Sequence, residues 1–130
     1  MLTQKMQYEI IFHDSKSFVT IRMSGDLTCD GIELMLTELI GDPRWKVSLN
    51  ALVDNRAASL DILSLYDLQK ISVLVNQIKD TLGPGACAIV LPDSGFTKMA
   101  MWKIMTEPTV DFKIECFDSV VTATEWLNKR

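Results

Sequence analysis

The chain has 130 residues, 48% of them hydrophobic, which suits one domain, residues 1–130, around one core. Its formal charge is -4 at pH 7, its pI is near 4.9 and its thirteen basic residues are scattered, which argues against a binder of nucleic-acid backbones, whose affinity rests on clustered Lys and Arg. No run approaches the roughly 20 apolar residues of a membrane helix, and Met1 to Lys5 lacks the apolar core of a signal peptide. The expectation is a cytoplasmic protein with no membrane span and no nucleic-acid partner.

Two strands open the chain. Tyr8, Ile10 and Phe12 alternate with Glu9, Ile11 and His13, and Val19, Ile21 and Met23 with Thr20 and Arg22. The short polar link Asp14-Ser15-Lys16-Ser17 makes the pair an antiparallel hairpin. A helix capped by Thr28 or Asp30 follows, with Ile32, Met35, Leu36, Leu39 and Ile40 as its apolar stripe, and Gly41-Asp42-Pro43 stops it.

From Trp45 to Leu91 the pattern is a βαβ unit, which requires a parallel sheet because parallel strands need a crossover. The apolar run Leu49 to Val53 stops at Asp54, and Ser59 or Asp61 caps a central helix. Leu65, Leu68, Ser72, Val75, Ile78 and Leu82 follow helical spacing, with Ile62, Tyr66 and Val73 widening the apolar face. A helix from Asp61 to Leu82 would be about 33 Å long, a surplus that points to a partner or a homodimer along it. Gly83-Pro84-Gly85 is a helix stop, without the context of a phosphate loop.

Ala86 to Leu91 is apolar without alternation, as in a central parallel strand covered on both faces. Pro92-Asp93-Ser94 leads into a third helix bearing Phe96, Met99, Met101, Trp102, Ile104 and Met105, ended by Glu107-Pro108. Phe112, Ile114 and Cys116 alternate as an edge strand, and Asp118 or Ser119 caps a last helix docked by Val120, Ala123 and Leu127, with Trp126 alongside. The fold class is α/β, a mixed five-stranded sheet with a parallel βαβ core, about four helices and an N-terminal hairpin.

Chemistry is sparse. Cys29, Cys87 and Cys116 are too widely spaced for a zinc motif and read as reduced thiols. Cys29 stands beside a helix start, where the dipole can lower a thiol pKa, but no His or second Cys near it in sequence completes a nucleophile and base. The lone His13 cannot join a multi-histidine metal site, and no cofactor or metal is expected. Met99, Met101 and Met105 read as core, with an adaptable surface for a partner or apolar ligand as the sharper alternative.

Ligands of open α/β sheets bind beyond the carboxyl ends of parallel strands. Those ends carry Asp54, Asn55 and Arg56 from one strand and Asp93 and Ser94 after Pro92 from the other, flanked by Phe96 and Met99. This crest is the candidate ligand site; capping and turn closure explain the same polar residues more simply.

The succession of elements resembles the STAS superfamily of sulfate-transporter and anti-sigma-antagonist domains, in particular its SpoIIAA-like branch, from about Tyr8 to Leu127. The matching pieces are Met23-Ser24-Gly25-Asp26-Leu27-Thr28, Leu52-Val53-Asp54, Ala88-Ile89-Val90 and Ala123-Thr124-Glu125-Trp126-Leu127. The resemblance implies a non-enzymatic regulator that docks on a protein partner and is switched by a phosphoserine at the second helix N-terminus. The phosphoacceptor register is not preserved, since aligning Asp61 with the family's second Asp places Ile62 at that serine. Ser59 and Ser64 are the remaining candidates, with Arg56 as a partner for phosphate and Asp54 and Asp61 opposing it. An N-cap explains Ser59, and a first-turn position explains Ser64, without any kinase.

The expected function is therefore non-enzymatic regulation through protein contacts. The alternative is a carrier or sensor of a small apolar ligand, because SpoIIAA-like domains look similar to CRAL-TRIO lipid carriers and a Met-rich third helix suits such a pocket. An enzyme using Asp54 and Asp93 ranks third.

Overall fold

The computed structural model describes residues 4–14 and 16–130, so Met1 to Thr3 and the Ser15 of the hairpin link lie outside the described residues. β1 (Gln7–Phe12) and β2 (Phe18–Asp26) pair antiparallel, from Gln7 opposite Ser24 to Phe12 opposite Val19. β3 (Asn50–Ser59), β4 (Ala86–Val90) and β5 (Lys113–Phe117) follow in spatial order, each parallel to the strand before it. The crossovers carry α1 (Cys29–Gly41), α2 (Leu65–Gln77), the single turn α3 (Lys79–Leu82) and α4 (Phe96–Thr106), and α5 (Val120–Asn128) ends the chain.

Helices cover both faces, which is why the middle strands are apolar on both sides. On one face Ile32, Met35 and Leu39 of α1, Leu68 and Ile71 of α2 and Met99 of α4 join Ile21, Val53 and Ile89 of the sheet in the main core. On the other, Ala123 and Leu127 of α5 pack with Phe18, Leu52, Ala88 and Val90. Leu127 is fully buried, and a buried leucine contributes about 2 kcal/mol.

β3 does not end at Asp54. It runs on through Asn55, Arg56, Ala57 and Ala58 to Ser59, because the second half of β2 remains available for pairing: Ser24 faces Ala57 and Asp26 faces Ser59. Asp, Asn and Arg weaken a strand on their own, but side-chain propensity yields to a long paired neighbour. The register slips here, since Arg22 faces Asp54 while Ser24 faces Ala57, so two steps along β2 match three along β3. The extra residue is a β-bulge at Asn55-Arg56, a device that re-aims side chains.

The central helix also starts later and is shorter than expected. Its N-cap is Ser64, whose Oγ accepts the Asp67 backbone N–H at 3.1 Å while Asp67 Oδ2 accepts the Ser64 N–H at 2.8 Å, a reciprocal capping box. Ser59 instead ends β3, its Oγ accepting the Asp61 N–H at 3.2 Å. Residues 60–63 form a loop pinned by buried Leu60 and Leu63 and by Lys98 Nζ, which donates to the carbonyls of Leu60, Asp61 and Leu63 at 3.0, 2.7 and 2.7 Å. With 13 residues α2 is about 20 Å long, so the surplus length that suggested a dimer along it is absent. Ile78, at φ -109° and ψ 15°, separates it from α3, which gives five helices where about four were expected.

Candidate functional site

Small side chains in the middle of the sheet leave space beneath the helices. Ala51 of β3 and Cys87 of β4 are register partners, and both remain accessible to solvent-sized contact although helices cover them. They floor a cavity of about 150 Å³ between the sheet and the α1, α2, α4 layer. Val53 and Ile89 continue the floor; Met35 and Leu39 of α1, Ile71 and Val75 of α2, and Met99 and Trp102 of α4 form the roof. A cavity of about this size lined by Leu, Ile and Phe admits benzene and stays dry otherwise.

One end is closed and the other is not. Buried Leu27, Leu60 and Leu63 seal the end near the α2 N-terminus. At the amino end of the parallel strands the lining passes to half-buried Trp45, Leu49, Leu82 and Phe112, and Trp45 is held in place by its Nε1 donating to the Thr81 carbonyl at 3.0 Å. The mouth thus lies at the opposite end of the sheet from the expected crest.

Two residues of the wall each carry a buried polar atom without a hydrogen-bond partner. Asn55 is 1% exposed and lines the cavity, and its Oδ1 has no hydrogen-bond partner. Trp102 Nε1, from α4 on the opposite wall, is likewise buried and unpartnered. A buried group without a partner costs about 1–3 kcal/mol, so such atoms call for an explanation. No charged side chain lines the cavity among the described residues. Cys87 also lines it, and burial first and the nearby Cys116 second push its thiol up to about 12, so it stays protonated.

The crest residues are not brought together as expected. Asp54, Asn55 and Arg56 lie within β3 and not beyond it. Asp54 and Arg56 line a shallow groove of about 520 Å³ on the side of the sheet away from the cavity, with Glu9 and Arg22. There the Arg56 guanidinium holds the Asp54 carboxyl below its usual range, outweighing the desolvation that acts against it. Asn55 and Met99 belong to the cavity. Asp93 and Ser94 form a 3-10 turn after β4, and Phe96 opens α4 partly buried against the main core. Both Asp54 oxygens accept from Arg56.

Ser64 and Ser59 both have their hydroxyls committed as acceptors to local backbone, and Arg56 is committed to Asp54. Cys29 departs from the helix-dipole expectation. Burial first, then its hydrogen bond to Asp67, raise its pKa; Sγ donates to the Asp67 carbonyl at 3.4 Å and to Oδ1 at 3.5 Å. His13 is a hairpin residue, with Nε2 2.7 Å from Thr20 Oγ1 and its ring edge-on to Phe18. Met99 is core, whereas Met101 is exposed.

Ala51, Cys87, Trp45 and Trp102 were not singled out as site residues by sequence reasoning. The available signal was the run of small residues Ala86-Cys87-Ala88 in a strand that must lie under helices, beside Ala51 in its neighbour.

The same architecture occurs in a crystal structure of an uncharacterised protein of the DUF3478 family from Shewanella loihica PV-4, described as having a SpoIIAA-like fold. The two superpose with a TM-score of 0.64 over 98% of this chain and 97% of that one, at 15% sequence identity. The fold is SpoIIAA-like. The mixed sheet of this chain, with antiparallel β1 and β2 and a parallel remainder, accords with that fold. No protein-family model matches the chain, and no curated protein matches it in sequence. No helix among the described residues is long and apolar enough to cross a membrane.

Proposed function

We propose that this SpoIIAA-like protein is a non-enzymatic binding protein that holds a small, mainly apolar molecule in the cavity beneath α1, α2 and α4, as a carrier or sensor. The observation that supports this most is the 150 Å³ space floored by Ala51 and Cys87 in the middle of an otherwise well-packed sheet. Interiors normally fill to crystal-like density, and larger side chains at these two positions would have closed it. The cavity favours the carrier alternative over regulation by protein contacts alone.

Thermal unfolding in rising concentrations of toluene tests the proposal, because a ligand that binds only the folded state stabilises it by mass action. A Tm that climbs with toluene is the expected result; a flat or falling Tm contradicts it.

Regulation through a protein partner is the second reading, favoured by the exposed apolar side chains Ile62, Leu65, Tyr66 and Val73 on and before α2 and Met101 and Ile104 on α4. Sedimentation over a wide range of concentration examines the case in which that partner is a second copy. A mass that doubles supports it, and a constant monomer mass removes the homodimer.

A further inference from the structure

What the cavity selects follows from its shape and its walls. Leu49, just before β3, and Ala51, Val53 and Asn55 within it are alternate residues of one strand, and all four line the space. At about 3.3 Å per residue they cover about 20 Å of wall. Opposite them, Leu68 and Val75 line it from points about 10 Å apart along α2. In a compact chamber a volume of about 150 Å³ takes one benzene ring. Drawn out along these walls, the same volume is a slot, longer than it is wide. Leu60 and Leu63 close one end, and the other opens beside half-buried Trp45 and Phe112. The surface between is almost wholly apolar, so nothing inside repays the desolvation of a hydroxyl, a carboxylate or an ammonium.

We infer that the slot selects an unbranched hydrocarbon chain of about six to eight carbons, inserted methyl end first, with any polar group left in water at the mouth. The carbon count follows from the volume, and the lack of branching from the shape. Each methylene that enters gains affinity by leaving water, about fourfold per carbon. A ring or a branched chain of the same carbon count is wider and shorter, so it leaves part of the length unfilled and forfeits contacts with the walls there. This rests on the binding reading above, and the two fail in different ways.

The test is calorimetric titration of the whole protein with straight-chain alcohols from n-pentanol to n-decanol, with ethylhexanol and cyclohexylethanol as wider alcohols of the same carbon count as n-octanol, and with toluene. Affinity should climb about fourfold per carbon to about n-octanol and then level, because further carbons lie outside the mouth. n-Octanol should bind about tenfold more tightly than either wider alcohol. In Ala51→Leu, which places a larger side chain over the middle of the floor, the climb should level at a shorter chain, and retained binding of n-pentanol shows that the variant is folded. If that variant does not fold, the comparison of n-octanol with its wider counterparts in the native protein decides alone. If those three alcohols bind alike, or toluene binds more tightly than n-octanol, the inference is overturned while the cavity still binds. A climb that continues undiminished to n-decanol also overturns it, as does a folded Ala51→Leu that follows the native series. If neither the alcohols nor toluene bind, the binding reading falls and the inference with it.

Discussion

Arg56 grips both carboxylate oxygens of Asp54, Nε to Oδ1 at 2.9 Å and Nη2 to Oδ2 at 2.8 Å, while Asn55 between them lines the cavity on the other side of the sheet. The Arg56 backbone N–H also donates to Asp54 Oδ1, at 3.1 Å, so the carboxylate satisfies a donor that the bulge frees from the ladder. The polar clamp and the cavity-lining Asn55 thus belong to one bulge.

The clamp makes stability depend on pH in a definable window. Asp54 is held below its usual value, chiefly by the Arg56 side chain, so its contribution is complete above the unfolded carboxylate pKa of about 3.9 and is lost as pH falls through the lower folded value. Arg56 is more than half exposed, so screening limits the pair to on the order of 1 kcal/mol. Asp54→Asn should lower the stability measured in urea by about that amount at pH 7, with the difference shrinking steadily below about pH 4. An equal deficit at pH 7 and pH 2.5 would show that charge is not the cause.

Filling the cavity should help the empty protein. Ala51→Val adds two carbons over open space, at a strand position that favours β-branching, and should raise stability by about 1 kcal/mol. Overpacking a closed core would instead cost about 1–3 kcal/mol. A rise in Tm together with weaker toluene binding is the expected pair of results; a clear fall in Tm would mean that the space over Ala51 is not there.

Much of the fold was legible because hydrophobic period and turn chemistry agreed along most of the chain. The hairpin, the βαβ unit from Trp45 to Leu91, the Thr28 and Ser119 caps and the docking of α5 by Ala123 and Leu127 all follow from local pattern. The misread segment was Asp54 to Ser64, where the deciding forces are not local. β2 pairs the polar half of β3, and Lys98, 35 residues beyond Leu63, pins the loop from α4. The expected crest does not assemble for the same reason: Asp54, Asn55 and Arg56 divide between the two faces of a strand, and the cavity depends on what Ala51 and Cys87 lack.

Lys98 offers a way to test that long-range hold. Lys98→Met keeps most of the apolar stem but removes the donor shared by three carbonyls, and should cost about 2 kcal/mol. Amide exchange from Leu60 to Ser64 should quicken more than exchange in β4. Unchanged protection of that loop would mean that Leu60 and Leu63 hold it unaided.

Cys87 provides a chemical reporter from inside the cavity. With its pKa pushed up to about 12, it has little thiolate near neutrality and should be alkylated more slowly than a free cysteine by roughly a thousandfold at pH 8. Peptide mass mapping after timed exposure to iodoacetamide should find Cys29 modified before Cys87, and toluene should slow Cys87 further. Early modification of Cys87 would contradict its place on an apolar wall.

The most direct measurement is a crystal structure under xenon pressure, because xenon enters apolar cavities without demanding a particular hydrogen bond. Xenon density bounded by Ala51, Cys87, Met99 and Trp102 is the expected result. A native structure in which Met99 and Trp102 fill that space, with no xenon between the sheet and α4, would contradict the binding cavity on which the account rests.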